Sequence, residues 1–340
     1  MNIKQNRILP LGNADINVYP MYSNAISVLN QYEKAKEWLL CNFIQLAFNG
    51  NALLFYDFNY KLCPYLQIQR ISKDYLLKLK IDILDFIVQS ISYGCYVYLL
   101  VHKSDISAYA YRSPEEREKD DSVHDIFIYG YDKSRKELYI SDNFVNGIYS
   151  HEICTFEEFN SALENVSANN ESKLGFMGTI ELWQYYEKGL KNFNINRVID
   201  SFSDYICAKA TTEWNIMDCR DKYAEPKLVF GLECYNSLKE RVLNTKPQYV
   251  YIQDFHLLWE HKKQIRKICL YLSEKKFINA IDFICVLDEI CESSLIIRNM
   301  MIKYSISGKE TIKARVISRL NDLAVIEKRV LERLIRNIKV

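Results

Sequence analysis

Of the five histidines in this 340-residue chain, His124 stands where an imidazole could do acid–base work. It opens the segment 123–142, VHDIFIYGYDKSRKELYISD: an alternating apolar run, a turn, a second run, and Asp142 at the far end. Paired as a hairpin, the two runs would set His124 and Asp142 side by side. A histidine held by a carboxylate is the base half of a nucleophilic or acyl-transfer site, because the carboxylate fixes the tautomer and steadies the imidazolium. The same residues also fit a plainer description: a surface histidine at a strand start, a turn at Gly130-Tyr131-Asp132, and Ser141-Asp142-Asn143 capping the hairpin.

The pattern changes near residue 180. Before it, helix and strand alternate. Residues 24–32 and 33–48 read as helices, with Trp38, Cys41, Ile44 and Phe48 on one face. Residues 53–58 and 96–101 read as strands, and 74–92 as a helix ended by Gly94. The hairpin covers 125–131 and 137–142, with an edge segment at 147–150. Thr155 and Glu158 have capping-box spacing at a helix start. Residues 112–121, RSPEEREKDD, form a solvated loop that could also act as a lid, since it leads directly into His124. After residue 180, a helical period runs through 196–212, 227–243, 253–272, 279–304 and 309–338. The last carries a stripe of Ile312, Val316, Leu320, Leu323, Ile326, Val330, Leu334 and Ile338, which suits a bundle seam. The expected fold is α+β, with a mixed domain over 1–178 and an all-helical domain over 179–340.

Composition excludes several classes. Forty-four basic and 43 acidic residues leave a net charge of +1, which offers no electrostatic case for nucleic acid or an anionic membrane. The apolar run 86–101 is too short and too polar for a bilayer span, and the opening residues MNIKQNRILPLG lack the h-region expected of a signal peptide. Ten scattered cysteines without a CxxC pair suggest free thiols in a reducing cytoplasm. No GxxxxGK, GxGxxG or GxSxG motif is present. His256, Glu260 and His261 approach an inverted zinc-protease motif, but with three residues in place of two between the first His and the Glu, and with His261 about 100° round the helix. His151-Glu152 is isolated, and His102-Lys103 ends a strand.

The stretches HDIFIYGYD, LYISD, IYSHEICTFEEFNSAL and AISVLNQYEKAKEWLLCNFIQLAF, and more weakly FGLECYNSL and FHLLWEHK, resemble the butirosin biosynthesis protein H family. That resemblance implies a papain-like N-terminal domain, with His124 as base and Asp142 as its orienting carboxylate. It also implies an acyltransferase that takes an acyl group from an acyl or peptidyl carrier-protein thioester and forms an amide on an amine, as in nonribosomal peptide and related natural-product pathways. The phosphopantetheine arm would arrive with the substrate, and no metal or organic cofactor is implied.

The chain departs from the family at the nucleophile. The family's cysteine opens the first helix, where the helix dipole and the imidazole together favour a thiolate. The corresponding window, 18–23, contains no cysteine. Ser23 is its one ordinary nucleophile and also reads as a helix N-cap. Asn17 suits an oxyanion donor by spacing. Cys41 reads as core, and Cys63, before Pro64, lies in an irregular stretch that could be exposed, with nothing to tie it to His124. Three readings stand: Ser23 replaces the cysteine, His124 deprotonates an amine that attacks the thioester directly, or the cleft is inert and only binds a carrier protein or acyl chain. A cysteine peptidase is a further alternative, and the absent thiol counts against it.

Overall fold

The computed structural model describes residues 4–111, 113–166, 179–189, 193–210 and 228–339. The chain is mixed α and β, sheet-rich in its N-terminal part and helical in its C-terminal part. It divides into two compact units, one of Met1–Ala35 with Tyr60–Leu190, the other of Lys36–Asn59 with Lys191–Val340. The units interleave, whereas the sequence reading places a single cut after 178. Strand pairing is the reason: residues 179–185 belong to the first unit's sheet and residues 46–55 to a small sheet of the second.

The first unit is built on a seven-stranded sheet. Its strands are β1 (Asn6–Ile8), β4 (Leu66–Ser72), β5 (Tyr96–His102), β6 (Val123–Asp132), β7 (Glu137–Val145), β8 (Ile148–Thr155) and β9 (Thr179–Tyr185). The spatial order is β4-β9-β5-β6-β7-β8, with β1 on the far half of β6. All of these pairings are antiparallel. β5, YVYLLVH, is buried along six consecutive residues, as a central strand covered on both faces must be. β6 pairs with β5 through Val123–Ile128 and with β1 from Gly130, and a bulge against β7 lies between Ile128 and Gly130. Gly130 is required there: a Cβ would lie 2.8 Å from Tyr139 Cδ2 and 2.9 Å from the Arg7 carbonyl oxygen.

Helices of this unit are α1 (Pro20–Leu29), α3 (Lys73–Lys78), α4 (Ile83–Ser92), α5 (Pro114–Glu118) and α6 (Phe156–Glu164); α2 (Glu33–Leu39) runs from the first unit into the second. α1 begins four residues earlier than expected, because Pro20 suits the first helical position and Tyr19 supplies the extended N-cap. The expected helix 74–92 is two helices: Lys80 adopts φ +56°, and Asp82 caps α4 by accepting from Asp85 N at 2.8 Å. The charged loop contains α5, with Ser113 as its N-cap. Both bonds of the Thr155–Glu158 capping box are present.

In the second unit, β2 (Leu46–Phe48), β3 (Leu53–Phe55) and β10 (Val229–Phe230) form a small sheet, so the expected helix over 33–48 ends at Leu39. The remaining α-helices among the described residues are α7 (Ile195–Ile206), α8 (Cys234–Asn244), α9 (Ile252–Glu274), α10 (Ile281–Ser307) and α11 (Thr311–Asn337). The parts of 196–212 and 227–243 at 211–227 lie outside the described residues. The α11 stripe is buried at Ile312, Val316, Leu320, Leu323, Val330 and Leu334, but Ile326 is 40% exposed and Glu327 is buried in its place. Spacings of 4, 3, 4 and 3 from Val316 lead to 327 and 330, so helical geometry turns the carboxylate inward. There Glu327 meets Lys262 of α9 at 2.6 Å.

The candidate acid–base site on β6 and β7

The hairpin brings its two ends together as expected. Ile128 pairs with Ile140 and Phe127 with Ser141, a register that places Asp142 within reach of His124. His124 Nδ1 lies 2.9 Å from Asp142 Oδ2 and 2.9 Å from the carbonyl oxygen of Asp125. Both partners only accept hydrogen bonds, so Nδ1 carries the proton and the lone pair of a neutral ring resides on Nε2. Among the described residues Nε2 has no hydrogen-bond partner, and the side chain is 36% exposed. The imidazole therefore presents its working nitrogen outward and is held by the other.

The carboxylate beneath it is fixed on both oxygens. Asn143 N donates to Asp142 Oδ1 at 2.7 Å, and the Tyr109 hydroxyl donates to Oδ2, the oxygen that also takes the imidazole proton. The Asp142 side chain is 1% exposed. Burial and the adjoining carboxylate hold the Tyr109 phenol well above its ordinary range, so it remains a donor. Its ring meets the imidazole edge-on at 5.9 Å and packs on Phe144 at 5.0 Å. A second carboxylate, Asp125, lies 3.8 Å from Nδ1 and accepts from Tyr98 Oη at 2.6 Å. Burial raises the Asp125 carboxyl.

These neighbours decide the charge of the ring. Burial acts to lower the His124 pKa, but the bond to Asp142 and its charge, with Asp125 adding to it, outweigh that and raise it to about 9. At pH 7 roughly one ring in a hundred is neutral. The site rests as an imidazolium and becomes a base only as pH approaches 9.

Ser23 is not part of this constellation. It lies inside α1 rather than at its cap, is fully buried, and its hydroxyl donates to the carbonyls of Ile16 (3.1 Å) and Tyr19 (3.3 Å). No hydrogen bond joins it to His124. α1 and its lead-in touch β7 at the residues on either side of Asp142: Ser141 Oγ donates to Asn24 Oδ1 at 3.1 Å, and Asn143 Nδ2 to the carbonyls of Asn17 and Val18 at 3.2 and 3.3 Å. Successive residues of a strand point to opposite faces, so Asp142 is directed away from the face on which Ser141 meets α1. Asn17 meets β7 through its carbonyl oxygen.

Nor is either cysteine an activated thiol. Burial pushes Cys41 to about 11 and Cys63 to about 12. Cys63, which could have been exposed, is 4% exposed: its N–H donates to the Tyr60 carbonyl and its carbonyl accepts from Leu66 N, which ties it into the turn before β4. His256 Nε2 and Glu260 pair at 3.1 Å on one helix face, while His261 is turned to the Ile44 carbonyl (2.7 Å) and to Lys262 Nζ (2.9 Å). No group of metal-ligating side chains forms among the described residues. His102 pairs with Asp105 at 2.8 Å, and His151 is exposed on β8.

Two participants were missed from sequence. Asp125 adjoins His124, and that adjacency of a carboxylate to the histidine is its only signal in the sequence. Tyr109 lies 33 residues from Asp142 in an aperiodic segment that carries no such signal. No family model matches this chain, and neither does any curated protein.

Proposed function

We propose that this protein is an amide-forming acyltransferase that passes an acyl group from a carrier-protein thioester to an amine. The carrying observation is the imidazole whose Nδ1–H is pinned on Asp142 while Nε2 has no hydrogen-bond partner among the described residues and the side chain is 36% exposed. An amine nitrogen attacks the thioester carbonyl carbon, the C–S bond breaks, and the carrier thiol leaves. His124 Nε2 takes the proton that the amine sheds and returns it to the departing sulfur, and Asp142 keeps the ring in the required tautomer. Proximity and general-base assistance together are worth ~10 kcal/mol, enough for an activated acyl donor.

Direct aminolysis is favoured over a serine acyl-enzyme because the Ser23 hydroxyl is committed to two backbone carbonyls. A papain-like arrangement of the first unit is part of this reading. Its support is the chain order of a helix, then the histidine strand, then the aspartate strand paired to it. A cytoplasmic setting is supported by the cysteines, all free among the described residues. No helix among the described residues is long and apolar enough to cross a membrane.

The test is incubation of the protein with an acyl-phosphopantetheinyl carrier protein and a primary amine, with product and protein followed by mass spectrometry. Amide should form without an acyl-protein adduct, at a rate that rises with pH through about 9, and His124→Asn should lose at least about 100-fold. A stable adduct on Ser23 would replace direct aminolysis with covalent catalysis. Thioester bound but never turned over, equally by wild type and His124→Asn, would make the protein a binding module.

A further inference from the structure

We propose that Tyr109 and Arg117 are positioning residues for the His124–Asp142 pair, so that the short exposed helix α5 acts on the imidazole through them. This rests on the acid–base role given to His124 above, but it concerns the placement of the ring and needs no substrate to test.

The chain of contacts is continuous. α5 is exposed along its length except at Arg117, whose side chain is drawn inward. Arg117 Nη2 donates to the carbonyl of Ile106 at 2.7 Å and to that of Tyr109 at 3.4 Å. Its guanidinium lies 5.1 Å from the centre of the Tyr111 ring, and Tyr111 Oη donates to Asp120 Oδ2 at 2.7 Å. The arginine thus holds the backbone at Tyr109 and three residues before it. Tyr109 in turn places its hydroxyl on the one carboxylate oxygen that holds His124.

The arrangement gives the phenol a definite task. Asp142 Oδ1 is fixed by Asn143 N, and Oδ2 must face the imidazole. Without the phenol, Oδ2 would be held only by the imidazole it has to orient, and the terminal torsion of an sp² group is broad. The Tyr109 hydroxyl is a second donor on Oδ2, so the carboxylate is anchored independently of the ring. The groups facing the ring are Asp142 from β7, Asp125 from its own strand with Tyr98 of β5 behind it, and Tyr109 with Lys103 Nζ 5.4 Å from its ring centre. Of these, Tyr109 is the group whose backbone Arg117 of α5 holds. Anything that lifts α5, such as a docking substrate, would withdraw the phenol and alter the proton affinity of His124.

The experiment is an NMR pH titration of the His124 imidazole in Tyr109→Phe, Arg117→Met, Arg117→Lys and the Tyr109→Phe/Arg117→Met double variant, with no ligand present. Tyr109→Phe and Arg117→Met should each displace the His124 midpoint by about half a pH unit or more, in the same direction. The double variant should move no further than the larger single change, and Arg117→Lys should restore part of the shift. A wild-type midpoint in folded Arg117→Met, or shifts that add in the double variant, overturns the proposal. Should Tyr109→Phe not fold, the two Arg117 variants decide alone, because Arg117 is only half-buried on an exposed helix. An unmoved midpoint would leave the acyl-transfer reading intact. An inactive enzyme with the shifts present would sink that reading and leave this one.

Discussion

His124 is the residue on which the functional reading turns, and its charge has a stability consequence with a definite sign. The folded pKa of about 9 lies above the ordinary 6.5. The folded state therefore binds this proton more tightly, and the stabilisation is fully present below pH 6.5 and is lost as pH rises through about 9. His124→Asn removes the titration. Urea unfolding at stepped pH should show wild type losing stability relative to the variant between those limits; parallel curves would mean the ring is not held as a cation. Asp142→Asn should bring the His124 midpoint back down toward 6.5, since that carboxylate supplies the two largest of the contributions that raise it, ahead of Asp125. The histidine and aspartate were legible in sequence because a short hairpin with alternating strands has few possible registers. Tyr109 was not, because it reaches Asp142 across a fold that local pattern does not encode.

At the scale of elements, helix geometry and local composition compete, and geometry wins where the two differ. In α11 the isoleucine at 326 matches the apolar pattern, yet the 3.5-residue seam turns Glu327 inward. The buried carboxylate is fully partnered: Lys262 Nζ at 2.6 Å on Oε1, with Tyr205 Oη at 3.0 Å and Tyr235 Oη at 2.7 Å on Oε2. Lys262 also donates to His261 Nδ1 and Tyr205 Oη. Breaking one half of such a pair strands the other charge in the core. Lys262→Met should cost about 3–5 kcal/mol in urea unfolding, and adding Glu327→Leu should recover part of it rather than double the loss. The expected helix 74–92 failed for a related reason. Its apolar spacing is helical throughout, but the cap at Asp82 and the left-handed Lys80 start a new helix inside it. Gly130 marks the bulge where β6 changes partner, and Gly130→Ala should lower stability by about 1–3 kcal/mol, read as a shift in Tm.

At the scale of the whole chain, the sequence showed where character changes but not where the compact units lie. Helical periodicity begins near 180, yet β9 at Thr179–Tyr185 pairs with β4 along its whole length and with β5 beside it. Neither β4–β9 nor β1–β6 is a local pairing, and pattern alone cannot join strands so distant in sequence. A fragment ending at 178 would lack the strand between β4 and β5, and should show no cooperative thermal transition by circular dichroism; a sigmoidal transition would mean that β9 is dispensable. The acid–base site itself is assembled within the first unit, from β5, β6, β7 and the segment between β5 and β6. Its test therefore needs only the intact chain with 15N-labelled histidine. Long-range 15N–1H spectra across pH should show His124 titrating near pH 9 and, above that point, carrying its proton on Nδ1 with Nε2 unprotonated. A midpoint at the ordinary 6.5, or a neutral ring protonated on Nε2, would mean that Asp142 does not hold the imidazole and that the acyl-transfer reading fails.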